Sequence, residues 1–192
     1  MNIIFMHKLR TIEMHRLSVD EFKAAAKLPL IVVLDNVRSL YNVGSVFRIA
    51  DAFRVEAIYL CGVTGCPPSA EIHKTALGAE DSVSWKYFES TEDAVRELHA
   101  VHAFVWSIEQ VEGSTKLQNL PALPRGGATG GDSQKIAVIF GNEVKGVQQS
   151  VVDMSDGCLE IPQFGTKHSL NVSTTAGIVI WEFAKQYIAS HS

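Results

Sequence analysis

Three short apolar runs mark the chain, at residues 30–34, 57–61 and 136–140, and the first and third consist mainly of β-branched residues. An uninterrupted run of this kind is typical of a strand that is buried on both faces, as in a parallel sheet covered by helices. Further apolar or alternating segments predict strands over residues 83–88, 103–108 and 158–161. The pattern therefore indicates a sheet whose central strands are fully enclosed.

Between the strands, apolar residues recur at helical spacing. Val43, Val46, Phe47, Ala50 and Phe53 place one apolar face on a helix over residues 43–53. Helices are also predicted over residues 70–77, 91–99, 147–154 and 171–188. Because strands alternate with helices, we predict an α/β fold in which a mainly parallel sheet is sandwiched by helices.

The amino-terminal segment has a pattern of its own. Ser18 and Glu21 have the spacing of a capping box, which predicts a short helix that runs to Lys27 and ends before Pro29. Residues 1–28 are therefore expected to form a short helical appendage, and residues 29–192 the main domain. Residues 120–134, with two prolines and four glycines, are expected to form a flexible loop.

Charge and cysteine content narrow the class of protein. Residues 1–60 carry eight basic and six acidic side chains, a net charge of +2, and residues 61–192 carry nine and fifteen, a net charge of −6. A polyanion is therefore expected to meet the amino-terminal third. Three cysteines argue against a disulfide scaffold and favour a reducing compartment, the cytoplasm. We expect no signal peptide, no membrane span and no metal site.

Three predicted strand ends are polar and contain glycine, within residues 35–48, 141–146 and 162–171. Ligands of parallel sheets bind beyond the carboxyl ends of the strands, so these segments are expected to share one pocket. The dinucleotide-binding glycine pattern is missing after the first strand. The loop from Gly141 to Gly146 lacks the lysine and hydroxyl of a P-loop, and the serine hydrolase elbow is also missing.

The segments 42–48, 139–146 and 159–173 resemble the three signature motifs of the SpoU/TrmH branch of the SPOUT RNA methyltransferases, in the same order and at similar spacing. The resemblance covers residues 30–188. It implies a carboxyl-terminal deep trefoil knot, S-adenosylmethionine as the methyl donor and an obligate homodimer. It also implies that the chain methylates the 2′-hydroxyl of a ribose in RNA.

The resemblance also assigns roles to individual residues. It implies a catalytic role for Arg48, Asn42, Glu143, Ser169 and Asn171, and cofactor binding by Phe140, Gly141, Ile161, Pro162 and Leu170. From the sequence alone, each also has an ordinary interpretation. Arg48 suits the surface of a helix, Asn42 and one of Ser169 or Asn171 suit helix N-caps, and Ile161 and Leu170 suit packing.

The RNA substrate is less well defined than the reaction. Only about thirty residues precede the main domain, and this short segment favours tRNA over rRNA by analogy with relatives. The alternative is a knotted RNA-binding module without catalytic activity. A nucleotide hydrolase that uses the Gly141 loop is a third hypothesis.

Overall fold

Seven parallel strands form one sheet in the computed structural model, which describes residues 7–122 and 134–191. The strands are Leu28–Asp35 (β1), Val55–Cys61 (β2), Ser84–Phe88 (β3), Phe104–Ile108 (β4), Thr115–Lys116 (β5), Ile136–Phe140 (β6) and Gly157–Glu160 (β7). Their order across the sheet is β3-β2-β1-β6-β4-β7-β5. The predicted α/β class and parallel sheet are thus confirmed, and β5 is an additional strand.

Helices cover both faces of the sheet. They are Val19–Ala24 (α1), Leu40–Ala52 (α2), Ala70–Ala76 (α3), Ala79–Ser82 (α4), Thr91–Ala100 (α5), Gln149–Met154 (α6) and Val172–His191 (α7). Short 3₁₀ helices occupy Thr11–Met14 and Leu117–Asn119. None of the helices in the described part of the chain is both long and apolar enough to span a membrane.

Alternate residues of β1 enter two separate cores. Leu30, Val32 and Leu34 pack with α2, α3 and α7 on one face, while Ile31 and Val33 pack with α5 and α6 on the other. This arrangement explains the uninterrupted apolar run, because a strand covered on both faces has no solvent-facing positions. Phe22 of α1 is buried in the first core, so the amino-terminal helix packs on the main body.

Several helix boundaries differ from the sequence prediction by one to three residues, and the differences at α2 and α1 have a visible cause. Helix α2 begins at Leu40, because Ser39 is the N-cap and its hydroxyl accepts a hydrogen bond from the Asn42 N–H at 3.3 Å. Asn42 therefore does not open the helix, which leaves its side chain available for other contacts. Helix α1 has the predicted capping box at Ser18 but ends at Ala24, where the following backbone becomes extended. Most of the loop predicted over 120–134 lies outside the described residues.

The strand order brings the polar strand ends together. β6 lies between β1 and β4, and β7 lies beside β4, so the carboxyl ends of these four strands meet at one edge of the sheet. Parallel strands place the following loops at this same edge. The segments after β1, β6 and β7 are the three predicted from the sequence to share a pocket.

Candidate active site

A cavity of about 710 Å³ opens at the carboxyl ends of β4, β6 and β7, beside the start of α7. Its volume lies within the range of small-molecule sites in proteins. The predicted site residues that line it are Phe140, Gly141, Glu143, Ile161, Ser169, Leu170 and Asn171. The second and third predicted segments therefore form one cavity, as expected.

Glu143 connects the first segment to this cavity. Its carboxylate accepts hydrogen bonds from the Arg38 N–H at 3.0 Å, the Ser39 N–H at 3.0 Å and the Asn42 side-chain amide at 3.1 Å. Partial burial raises the pKa of Glu143, but the backbone N–H groups of Arg38 and Ser39 outweigh this effect and hold the pKa below its ordinary value. An ionised carboxylate thus lies at the amino terminus of α2, where the helix dipole favours negative charge.

Asn42 and Asn171 extend the same network. The Asn171 side-chain amide donates to the Asn42 side-chain oxygen at 3.1 Å. The Asn171 side-chain oxygen accepts from the Ser173 N–H at 2.9 Å and so caps the start of α7. A continuous path of hydrogen bonds therefore runs from Glu143 through Asn42 to Asn171 and joins all three predicted segments. Asn171 therefore caps α7 with its side-chain oxygen and binds Asn42 with its side-chain nitrogen at the same time.

Asn142 fixes the turn after β6, a function that the sequence analysis missed. Its side-chain oxygen accepts from the Val144 N–H at 2.9 Å and the Lys145 N–H at 3.1 Å, while its amide donates to the Asn36 carbonyl at 2.8 Å. Its backbone also pairs with Gly146 in both directions. An asparagine directly after a strand and a glycine is a turn signal that could have identified it.

Gly141 allows this turn to close. A Cβ atom on Gly141 would lie 2.1 Å from the Gly146 carbonyl carbon and 2.1 Å from the Val147 nitrogen. Any side chain at this position would displace the turn, so only glycine fits here. Gly146 has a positive φ of 69°, which is also a conformation that glycine favours.

Two carboxylates that the prediction omitted also support the cavity. Glu109, directly after β4, lines the cavity and accepts from the Val147 N–H at 3.0 Å and the Gln110 N–H at 2.8 Å. Asp35, fully buried at the end of β1, accepts from both the backbone and the side-chain nitrogen of Gln148, each at 2.9 Å. Both carboxylates thus hold the carboxyl-terminal end of the loop after β6, at Val147 and Gln148. A polar residue at the end of a buried strand is the sequence signal for both.

Three predicted site residues do not line the cavity: Asn42, Arg48 and Pro162. Asn42 contacts it through Glu143 and Asn171, and Pro162 follows the lining residue Ile161. Arg48 is exposed on α2, and its side chain makes no hydrogen bond or ion pair with any residue of 7–122 or 134–191. It lies about 9 Å further along the helix axis than Asn42. The structure thus separates Arg48 from the cavity of its own chain.

The lining chemistry suits an organic ligand with polar ends. Apolar side chains, among them Ile161 and Leu170, share the cavity wall with backbone groups and with the Ser169 hydroxyl. Within the described ranges, no group of three or more histidine, cysteine, aspartate or glutamate residues could hold a metal ion. The expectation of a metal-free site stays a prediction.

Comparison with known proteins agrees with this geometry. A curated relative, the 23S rRNA (guanosine-2′-O-)-methyltransferase RlmB of Neisseria meningitidis serogroup B, is 28% identical over 172 residues, which cover 88% of this chain and 63% of the relative. The RlmB of Nitrosomonas europaea is 30% identical, with 88% of this chain and 60% of the relative covered. The chain therefore spans somewhat less than two thirds of the length of these relatives.

Solved structures show the same fold. A TrmH/SpoU tRNA-modifying enzyme of A. aeolicus superposes with a TM-score of 0.76 at 20% sequence identity. The superposed region covers 90% of this chain and 84% of that enzyme's chain. An AdoMet-bound rRNA methyltransferase of Sinorhizobium meliloti superposes with a TM-score of 0.71 at 26% sequence identity, and the superposed region covers 83% of this chain and 60% of that methyltransferase's chain. The model of the SpoU rRNA methylase family matches residues 29–181. This match confirms the resemblance drawn from the three motifs, and the chain belongs to the SpoU rRNA methylase family.

Proposed function

We propose that the chain transfers a methyl group from S-adenosylmethionine to the 2′-hydroxyl of a ribose in RNA. The observation that carries this proposal is the hydrogen-bonded path from Glu143 through Asn42 to Asn171. It brings the three family motifs to the edge of one ligand-sized cavity. Family membership supports the same reaction.

The cavity fits the methyl donor in size and in chemistry. Backbone groups of Gly141, Ile161 and Leu170 would hold the adenine and methionine parts, with Phe140 and Pro162 beside them. Leu170 is 40% exposed although it is apolar, so its side chain has surface available for an adenine ring. S-adenosylmethionine, when bound, supplies a methyl group on a sulfonium whose thioether is a good leaving group.

The chain's own residues then align and polarise the nucleophile. Asn42, Ser169 and Asn171 present polar side chains for the sugar, and Glu143 holds the loops around them in place. Guanidinium groups are cations in proteins, so we assign Arg48 the stabilisation of the developing oxyanion and of a neighbouring phosphate, and the 2′-hydroxyl proton passes to solvent water as the methyl–oxygen bond forms and the methyl–sulfur bond breaks. Orientation of the two reactants contributes on the order of 7–11 kcal/mol in such reactions.

We infer that the chain acts as a homodimer in which Arg48 completes the cavity of a second copy. Arg48 is free of partners among the described residues and lies outside its own cavity. Nearby, α7 exposes Ile178 and Trp181, at 39% and 49%, on one helix face. Exposed apolar side chains at this spacing are typical of a surface that is covered in an assembly.

We also infer that the carboxyl-terminal segment forms the trefoil knot of the family. β7 pairs with β4 on one side and with β5 on the other, although both precede it in the chain. The Gln110 side chain of the intervening segment donates to the His168 carbonyl at 3.3 Å, so this segment contacts the loop that leads to α7. Both observations support a threaded path.

Ribosomal RNA is the substrate that we propose, in place of the tRNA favoured by the sequence analysis. The earlier preference rested only on the short segment before residue 29. Two curated relatives that match most of this chain, from Neisseria meningitidis and Nitrosomonas europaea, are 23S rRNA guanosine methyltransferases. A guanosine of ribosomal RNA is therefore the acceptor to test first.

The test is transfer of a labelled methyl group from S-adenosylmethionine to purified ribosomal RNA or tRNA, followed by digestion to nucleosides. The expected product is 2′-O-methylguanosine, formed from ribosomal RNA in preference to tRNA. Formation of a base-methylated nucleoside would overturn the proposed reaction. Binding of S-adenosylmethionine and RNA without transfer to either RNA would support the inactive RNA-binding module instead.

A further inference from the structure

The loops around the cavity carry two exceptionally exposed apolar side chains. Phe164 is 97% exposed and Val144 is 84% exposed, the highest values among the exposed large hydrophobic residues of the described chain. Val144 lines the cavity, and Phe164 lies between Gln163 and His168, which both line it. Full exposure of a phenylalanine ring is unfavourable in water, so its position at the cavity mouth points to a ligand that covers it.

Positive charge accompanies the two apolar side chains. Lys145 lines the cavity, and Lys167 precedes the lining residue His168. Neither Lys145 nor Lys167 forms an ion pair with another residue of the described ranges. These cations are therefore available to phosphate groups.

The carboxylates of the cavity are engaged elsewhere. Glu109 accepts two backbone N–H groups, Glu143 accepts N–H groups from the start of α2, and Glu160 accepts from Lys116 and Ser114. None of these contacts involves Lys145 or Lys167. The mouth of the cavity thus combines an aromatic face with free cations, the combination with which proteins bind single-stranded nucleic acid.

We propose that Phe164 is a stacking platform for an unpaired RNA base next to the methylated ribose, with Lys145 and Lys167 contacting the flanking phosphates. This inference rests on the proposed function and specifies the form of its substrate. Bases in loops and bulges of RNA can turn outward and stack on aromatic side chains, whereas bases in a duplex cannot. The acceptor is therefore a nucleotide in an unpaired region.

The experiment uses a short single-stranded RNA that contains 2-aminopurine, whose fluorescence changes when the base stacks. It is titrated into the full chain and into Phe164→Ala, Phe164→Trp and the control Val101→Ala. Val101 is also an exposed apolar residue, at 54%, but it precedes β4 and lies at the opposite end of the sheet. Phe164→Ala should weaken RNA binding roughly tenfold and abolish the fluorescence change, since one aromatic–base stack contributes this much.

The other variants define the result further. Phe164→Trp should keep both the affinity and the fluorescence change, and Val101→Ala should match the unmodified chain. A duplex of the same sequence should bind less tightly and show no Phe164 dependence. Light scattering should give the same mass for all the variants.

Two outcomes would overturn the inference. One is equal RNA binding by Phe164→Ala and the unmodified chain, and the other is a loss of mass in Phe164→Ala, which would make Phe164 part of a contact between copies. The methyl-transfer assay reports separately on the proposed function. If the unmodified chain forms 2′-O-methylguanosine while Phe164→Ala binds RNA normally, only the stacking platform is wrong.

Discussion

Glu143 is the residue on which the geometry of the candidate site depends most. Its carboxylate accepts three hydrogen bonds from the segment that begins α2, although about a hundred residues separate them in the chain. A carboxylate is needed at this position, because N–H donors approach both oxygens of the Glu143 side chain. A glutamine offers only one acceptor, and its amide group would face an N–H donor.

Glu143→Gln should therefore weaken the fold in a pH-dependent way. The folded-state pKa of Glu143 lies below its ordinary value, so its contribution is complete at neutral pH and is lost as the pH falls through the folded pKa. We expect the variant to be less stable by about 1 kcal/mol at pH 7. The difference should shrink below about pH 4.3, the ordinary pKa of glutamate. Urea unfolding at pH 7 and pH 3.5 measures it, and a pH-independent difference would contradict this role.

Arg48→Ala should abolish most of the methyl transfer without loss of cofactor binding. Removal of one well-placed donor to a developing oxyanion lowers rates about 10²–10³-fold. Because Arg48 is assigned to the ribose oxygen and a neighbouring phosphate of the RNA and not to the methyl donor, the Kd for S-adenosylmethionine should stay within a few-fold. Single-turnover transfer and calorimetric titration measure the two quantities. A near-normal rate would remove Arg48 from the reaction.

The residues were predictable as a set, but their contacts were not. Polar strand ends predicted that the segments containing Glu143, Ser169 and Asn171 share one pocket, and the family resemblance singled out these three residues. The partner of Glu143 lies too far along the chain for any local pattern to reveal it. Arg48 was correctly placed on a helix, yet its separation from the cavity depends on the direction in which α2 leaves the sheet.

At the scale of elements, α2 shows how a local signal can be ambiguous. Ser39 and Asn42 are both good N-caps, and they are three residues apart, so either could begin the helix. The structure selects Ser39, because Glu143 also binds the Ser39 N–H and the side chain of Asn42. A tertiary contact therefore decides a boundary that propensity leaves open. The central strands, by contrast, were predicted well because burial on both faces leaves an unmistakable apolar run.

Close packing of α2 on α3 leads to a stability prediction. A Cβ on Gly44 would lie 2.2 Å from the Ile72 carbonyl oxygen and 2.2 Å from the Thr75 hydroxyl oxygen. Gly44→Ala should therefore separate the helices and lower the free energy of unfolding by about 1–3 kcal/mol.

The matched control is Gly177→Ala in α7. A Cβ there would meet only Ile49, at an ordinary 3.7 Å. Since alanine favours helix interiors, this variant should be unchanged or more stable by up to about 1 kcal/mol. Urea unfolding of both variants measures the contrast. Equal stability of the two would show that α2 and α3 are not held at the described distance.

At the scale of the whole molecule, the strand order β3-β2-β1-β6-β4-β7-β5 creates the site. No local sequence pattern predicts this order, because β6 lies between β1 and β4 in the sheet but begins about a hundred residues after β1 ends in the chain. Sequence periodicity indicated only a parallel sheet. The polar, glycine-containing ends of the predicted strands supplied the expectation that the three segments share one pocket, and the topology explains how they do so.

The proposed dimer predicts the effect of a charge on α7. Trp181 is half exposed and its ring lies 5.8 Å from that of Phe53 on the edge of α2. Trp181→Glu should convert a dimer into monomers, because a carboxylate in an apolar interface loses its hydration. Trp85→Glu, on the outer strand β3, is the control and should leave the mass unchanged. Light scattering measures the masses, and a dimeric Trp181→Glu would contradict the assignment of this face.

Calorimetric titration of S-adenosylmethionine into the unmodified chain and into Gly141→Ala measures whether the loops at this edge of the sheet form the donor site. We expect one bound molecule per unmodified chain. We also expect at least about tenfold weaker binding in the variant, because a Cβ at Gly141 would lie 2.1 Å from the backbone of the turn after β6. The Val101→Ala control should bind normally. No heat of binding with the unmodified chain, or equal affinity in Gly141→Ala, would show that the loops at this edge of the sheet do not form the donor site.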